Sequence, residues 1–357
     1  MTVCPATQLK QEKVNSRAAK TVEIENDKIR VRDVVELYLK NVIKDRVVID
    51  QRTGAKIFFN GSRLPKGQNE AKRTLYSDEV RILGDRPAIE VTRKNVVEMT
   101  RKIIDRGAHV QAGRVLSELS SAFEYAIGLD YFPDYFVNPA LQAKASLKQS
   151  RIKLTPNKRT RVLDDKELRR LLNWLPVSGF SKHHKNILHL TLFTGCRTGE
   201  ICAAEWADFD LDKGAWHLKG TKNGTDRYVQ LSTQCIALLK SLPSIGQAFL
   251  FPSIRTNKPI AQKILTEAKW LLMENGRSKN HNFTPEQLWP EGMREWNPHD
   301  LRRTVRTMLS RLGCPSEVAE AVLGHSKKGI EGTYNLHIYE KECAEWLQKW
   351  ADFLEKL

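Results

Sequence analysis

What the chain lacks narrows its class first. No run approaches the roughly 20 consecutive apolar residues needed to span a bilayer, and the opening MTVCPATQLKQEK has no apolar core of the kind a signal peptide carries. The six cysteines (Cys4, Cys196, Cys202, Cys235, Cys314, Cys343) show no C-x-x-C spacing, which argues against a zinc site or a disulfide framework. A reducing cytoplasm is therefore the expected compartment. Acidic residues are also in short supply: 42 Asp and Glu face 58 Lys and Arg, a formal charge of +16 with a pI near 9.6. That balance calls for a polyanionic partner, with nucleic acid the first candidate and a membrane surface the second.

What is present supports globular folding in two domains, since 357 residues with 41% apolar content exceed the usual size of one. Residues 1–28 are polar without helical periodicity and read as a tail. From Val31 a helical stripe appears (Val31, Val34, Val35, Tyr38, Val42), followed over 44–67 by two short apolar runs, VVID and KIFF, that suggest an inserted hairpin. Helical signals return at Leu75, Val80, Ile82 and Leu83. Thr92 is placed to cap a third helix, and 111–127 form a fourth with Val115, Leu119, Phe123 and Ala126 inward. The first domain is thus a small helical unit over 29–143. Residues 144–161 read as a basic linker: Lys144, Lys148, Arg151, Lys153, Lys158, Arg159 and Arg161 could follow a phosphate backbone or simply keep a tether soluble.

A second domain over 162–357 opens with Asp164 and Glu167 in capping-box spacing ahead of Leu168, Leu171, Leu172 and Leu175. An apolar helix over 187–193 ends at Gly195, and Thr198 could cap a further helix reaching Trp206, which puts Arg197 at a rigid junction with Glu200 three residues on. Residues 215–219 and 227–231 read as strands around Asn223-Gly224, so Lys222 belongs to a hairpin tip. Helical stripes follow at 235–242 and 260–272. The polar stretch 275–296 reads as a surface loop. The fold class expected is mainly α with a small β-hairpin or short antiparallel sheet, α+β in two domains.

The densest chemistry lies in 297–335. His299 and Arg302 share one face of a helix whose core stripe is Leu301, Val305, Met308 and Leu312; a second helix stops at Gly324-His325, and Tyr334 follows. Two arginines are forked, permanently charged donors for phosphodiester oxygens. A tyrosine of ordinary pKa near 10 needs a base or a strongly positive site to attack. His299 can accept its proton, and a lysine on a hairpin can protonate a leaving oxygen. Each residue alone reads equally as a core histidine, a surface ion pair or a packing tyrosine. Paired carboxylates at metal-binding spacing are missing here, so no metal or cofactor is expected.

Thr194-Gly195-Cys196-Arg197-Thr198-Gly199-Glu200, His299-Asp300-Leu301-Arg302-Arg303-Thr304, Leu323-Gly324-His325 and Gly332-Thr333-Tyr334 together resemble the successive boxes of the tyrosine site-specific recombinases, in the branch of phage and genomic-island integrases. The resemblance covers 163–357. It implies Arg197 and Arg302 as phosphate clamps, Lys222 as general acid, His299 and His325 as the box histidines and Tyr334 as nucleophile; Tyr339 falls outside the box spacing. It further implies a core-binding helical domain, double-stranded DNA as substrate, a homo-tetramer on paired sites, a 3′-phosphotyrosine intermediate and accessory bending or directionality factors. The 28 polar residues at the front are fewer than the family's separate arm-binding domain would need. A relaxase like the type IB topoisomerases, or a regulator on this fold that no longer cuts, are the alternatives. An amphipathic helix over 340–357 (Trp346, Leu347, Trp350, Phe353, Leu354) is expected to dock either on its own domain or, as often in that family, on a neighbouring protomer.

Overall fold

Side chains that accept first-turn N–H groups (Thr92, Asn138, Asp164, Ser181 and Ser232) set where several helices begin. The computed structural model describes residues 29–49, 56–157, 159–220, 226–244, 246–273, 283–325 and 337–357. It divides into two units, Met1–Lys158 and Arg159–Leu357. In the first, α1 (Val31–Tyr38) buries Val31, Val34, Val35 and Tyr38 and runs on through a π-helical turn, Leu39–Ile43. The expected hairpin forms from β1 (Arg46–Ile49) and β2 (Lys56–Phe59), antiparallel with Arg46 opposite Phe59. Its apolar side chains face solvent, Phe58 at 75% exposure.

The signal around residues 75–83 resolves into two helices, α2 (Pro65–Leu75) and α3 (Asp78–Gly84), broken at Tyr76-Ser77, with Ile82 left exposed. In α4 (Arg93–Asp105) the Thr92 hydroxyl accepts from the Asn95 N–H, as its position suggested. The long α5 (His109–Ile127) buries Val115, Leu119, Phe123 and Ala126. One expectation needs correction. Residues from 144, assigned to a linker, begin inside α6 (Pro139–Gln149). Asn138 caps it through Ala140 N–H at 3.0 Å and Leu141 N–H at 3.1 Å, Pro139 fits the first turn, and Ala140, Ala143 and Leu147 are buried at helical spacing. The exposed lysines concealed this stripe because small alanines carry little hydrophobic signal.

In the second unit, α7 (Asp165–Trp174) has the capping box read from sequence, with Glu167 N–H donating to Asp164 at 2.9 Å. Helix α8 (Lys182–Thr194) starts at a Ser181 cap and ends on Gly195, whose φ of +63° is a left-handed C-terminal position that glycine occupies without penalty. Thr198 does not cap the next helix. Arg197 is the extended residue before α9 (Thr198–Cys202), its N–H donating to Glu200, while the Thr198 hydroxyl accepts from Gln262. That helix stops at Cys202, short of Trp206. A three-stranded antiparallel sheet follows in chain order: β3 (Phe209–Asp210), β4 (Ala215–Leu218) and β5 (Arg227–Gln230). The two-residue β3 is too short to read as alternation. Then come α10 (Thr233–Lys240), α11 (Lys263–Met273), α12 (Pro298–Arg311), α13 (Ser316–Leu323) and α14 (Glu340–Glu355).

Of the surface loop expected over 275–296, residues 275–282 lie outside the described residues, and 283–296 run at the surface but are anchored in the core at their end. Trp296 is fully buried, and Trp174, Trp289 and Trp296 form a chain of rings 5.6 and 5.2 Å apart. The prolines and charges of this stretch hid an aromatic anchor that seats the start of α12. In this chain the tail helix α14 lies on its own unit, burying Leu347, Trp350 and Leu354, with the Trp350 indole donating to Leu192 O at 2.7 Å and Gln348 bonded to Thr233. Trp350→Ala should therefore cost about 3–5 kcal/mol, read as an earlier denaturation midpoint of the isolated monomer. An unchanged midpoint would mean that the helix does not contribute in cis.

Candidate active site

Two helix ends and one helix start meet around a buried guanidinium. Arg302, in α12, is 3% exposed; its Nη1 donates to Gly195 O and its Nη2 to Leu323 O, both at 2.6 Å. Those carbonyls belong to the C-terminal turns of α8 and α13, where backbone acceptors lack intrahelical partners and the helix dipoles are negative. A permanent cation at this point satisfies both ends. Nη2 also lies 3.1 Å from His325 Nε2. Since guanidinium only donates, Nε2 is the acceptor, and Nδ1–H donates a hydrogen bond to Glu320. Glu320 is held in turn by Arg306 Nε at 2.8 Å.

Arg197 comes from the α8–α9 junction. Glu200 accepts from its N–H at 2.9 Å and from its Nη1 at 2.6 Å, so one carboxylate fixes both backbone and side chain and leaves the other guanidinium donors uncommitted to it. Arg227, at the start of β5, reaches the same carboxylate at 3.7 Å. Two guanidinium groups thus share one carboxylate, whose charge Arg302 also feels. Burial first, then Arg197, push the pKa of Arg302 down to about 10, which still leaves it charged at neutral pH. An anion placed between Arg197 and Arg302 would relieve their mutual repulsion, and a tetrahedral oxyanion suits forked donors.

His299 keeps solvent access one turn before Arg302. Lost hydration, then Arg303 and Arg302, hold its pKa below the ordinary 6.5, so the ring is neutral at physiological pH and available to accept a proton. Its helix start is seated from below. Lys269, nearly fully buried, donates to Glu295 and to Asn297 Oδ1, each at 2.6 Å, and buried Asp300 accepts from the Asn297 N–H. Lys269, Glu320 and Arg227 were missed in the sequence, where nothing in local spacing marks them.

Four of the six expected residues, Arg197, His299, Arg302 and His325, are brought into one neighbourhood. Lys222 and Tyr334 lie outside the described residues. The strands flanking Lys222 are in place, with Leu218 opposite Arg227. Tyr339 stands at φ 57° immediately before α14.

Buried histidines give the second unit a pH dependence of known sign. His183, His184 and His189 have pKa values lowered by burial, as His299 does through lost hydration. The unfolded chain therefore binds protons that the folded state refuses, and stability falls as pH drops below 6.5. Melting temperature should fall between about pH 7.5 and about pH 5.5, less steeply in His184→Phe. A wild-type melting curve insensitive to acid, or an equally steep fall in the variant, contradicts this.

The architecture belongs to the two-domain tyrosine recombinases. The structures it resembles include the lambda integrase tetramer bound to a Holliday junction, with a TM-score of 0.58 at 18% identity over 87% of this chain and 82% of that one. Tn1549 transposon integrase in complex with a circular intermediate DNA gives 0.57 at 17% identity, covering 84% and 92%. The chain belongs to the phage integrase family, whose model matches residues 161–341, just over half its length; the phage integrase central domain matches 60–134. Among curated relatives, prophage integrase IntA of Escherichia coli is 23% identical over 79% of this chain and 64% of its own. Tyrosine recombinase XerA of Thermococcus kodakarensis is 27% identical over 57% and 66%. The chain thus spans slightly under two thirds of these relatives. Among the described residues no helix is long and apolar enough to cross a membrane.

Proposed function

We propose that the protein is a site-specific DNA recombinase, an integrase that cuts and rejoins strands to integrate or excise a mobile element. The observation that carries this reading is buried Arg302 beside Arg197 and His325, a preformed oxyanion site with surplus positive charge. The Tyr334 hydroxyl attacks phosphorus while His299 takes its proton; the bond to the 5′-oxygen breaks as Lys222 protonates that oxygen. Arg197 and Arg302 hold the non-bridging oxygens, His325 is braced between Arg302 and Glu320, and the product is a 3′-phosphotyrosine. Attack by a partner strand's 5′-hydroxyl reverses these steps and restores the phosphodiester. Charge on phosphorus is met by the arginines, so this sequence of steps calls on no metal or cofactor.

The first unit, with its basic helices, is assigned to binding double-stranded DNA as the core-binding domain. Residues 150–161 remain the proposed tether. The working assembly is a homo-tetramer on paired sites, aided by accessory bending or directionality factors, in the cytoplasm of a bacterial cell or phage-infected host. Solved relatives captured on DNA, one of them a tetramer on a Holliday junction, support this reading. The test is a nicked duplex bearing the crossover site. A covalent protein–DNA adduct and strand exchange between paired sites are expected, whereas supercoil relaxation without exchange would make the protein a relaxase. Absence of any adduct would make it a binding protein on this fold.

A further inference from the structure

We infer that Arg227 is a positioning residue for this site, holding the turn that presents Leu323 and His325 to Arg302. The inference rests on the transesterification reading above. Its side chain is 16% exposed and points away from solvent into the junction of three elements. Nη1 donates to Val322 O at 3.0 Å, and Nη2 donates to Cys196 Sγ at 3.3 Å while lying 3.7 Å from Glu200. Arg302 takes the next carbonyl, Leu323 O. Two successive free carbonyls at the end of α13 are thus capped by two different arginines, one from a strand and one from a helix.

Gly324 shows how close this approach is. It has φ +62°, and a Cβ there would lie 2.5 Å from Arg227 Nε. The glycine lets the chain turn into His325 and at the same time makes room for the guanidinium. Through Glu200, which binds Arg197, and Val322, which precedes the His325 turn, Arg227 joins the two halves of the site. It also begins the strand that follows Lys222, so its anchor fixes one end of that hairpin to the same turn. Nε is buried without a hydrogen-bond partner among the described residues. What Arg227 contributes is the geometry it imposes on its neighbours through Val322 O, Cys196 Sγ and Glu200.

Arg227→Ala should slow single-turnover cleavage of the nicked duplex on the order of 10²-fold, the effect expected from misplacing reacting groups, with duplex affinity unchanged. Added guanidinium ion should restore part of the rate in Arg227→Ala, and Arg227→Lys should fold and bind as wild type yet cleave slowly, because one ammonium cannot serve Val322 O and Cys196 together. Wild-type cleavage rates in Arg227→Lys overturn the inference. So does a loss in Arg227→Ala that follows the unfolded fraction and resists guanidinium. Failure of the wild-type protein to form an adduct would instead sink the recombinase reading, so the two failures are distinguishable.

Discussion

Tyr334→Phe is expected to bind its duplex normally and to form no covalent adduct. The phenyl ring keeps the size and apolar surface of tyrosine and removes only the oxygen that would bond to phosphorus. Loss of a nucleophile in a site that otherwise stays assembled costs on the order of 10⁵-fold or more. Denaturing gels after incubation with a nicked duplex should show wild-type protein shifted by attached DNA and the variant unshifted. Tyr339 supplies the control. It stands beside His337, with rings 4.4 Å apart, at the turn before α14. Tyr339→Phe should retain the adduct. If instead Tyr334→Phe keeps it and Tyr339→Phe loses it, the nucleophile has been misassigned by five positions.

Much of the scaffold was legible because its signals are local. Asp164 with Glu167, Thr92 as a cap, and Gly195 after an apolar run each specify a helix boundary through the backbone groups they satisfy or the φ they allow. The same locality explains the failures. Helix α6 is held by two alanines and one leucine under a basic surface, and the ring chain that links buried Trp296 through partly buried Trp289 to Trp174 joins residues far apart in sequence. Arg197 was correctly placed at a junction, but the helix starts one residue earlier than a Thr198 cap would set it, with Arg197 as the residue before the first turn and its N–H accepted by Glu200 within that turn. The arginine and histidine boxes were visible as motifs. That Arg302 bridges the ends of α8 and α13, and that Arg227 shares the second of them, depends on contacts across 107 and 95 residues that no periodicity encodes.

Those bonds give Arg302 two roles with different signatures in experiment. Arg302→Ala leaves Gly195 O and Leu323 O without their donor, at a cost of about 1–3 kcal/mol for each buried acceptor left unpaired, and takes away the proposed phosphate ligand, at about 10²–10³-fold in cleavage rate. The first loss lowers the denaturation midpoint; the second persists after the rate is divided by the folded fraction. Arg302→Lys separates them further. An ammonium keeps the charge but is a single point, so it can cap one carbonyl or the other and cannot hold both while also facing His325 and a phosphate oxygen. The lysine variant should therefore recover part of the stability and little of the cleavage. If cleavage per folded molecule returns to the wild-type rate in Arg302→Lys, charge alone is what the site needs and the forked geometry is not. If cleavage per folded molecule is intact even in Arg302→Ala, Arg302 is only a brace for two helix ends, and the oxyanion site must be rebuilt around Arg197.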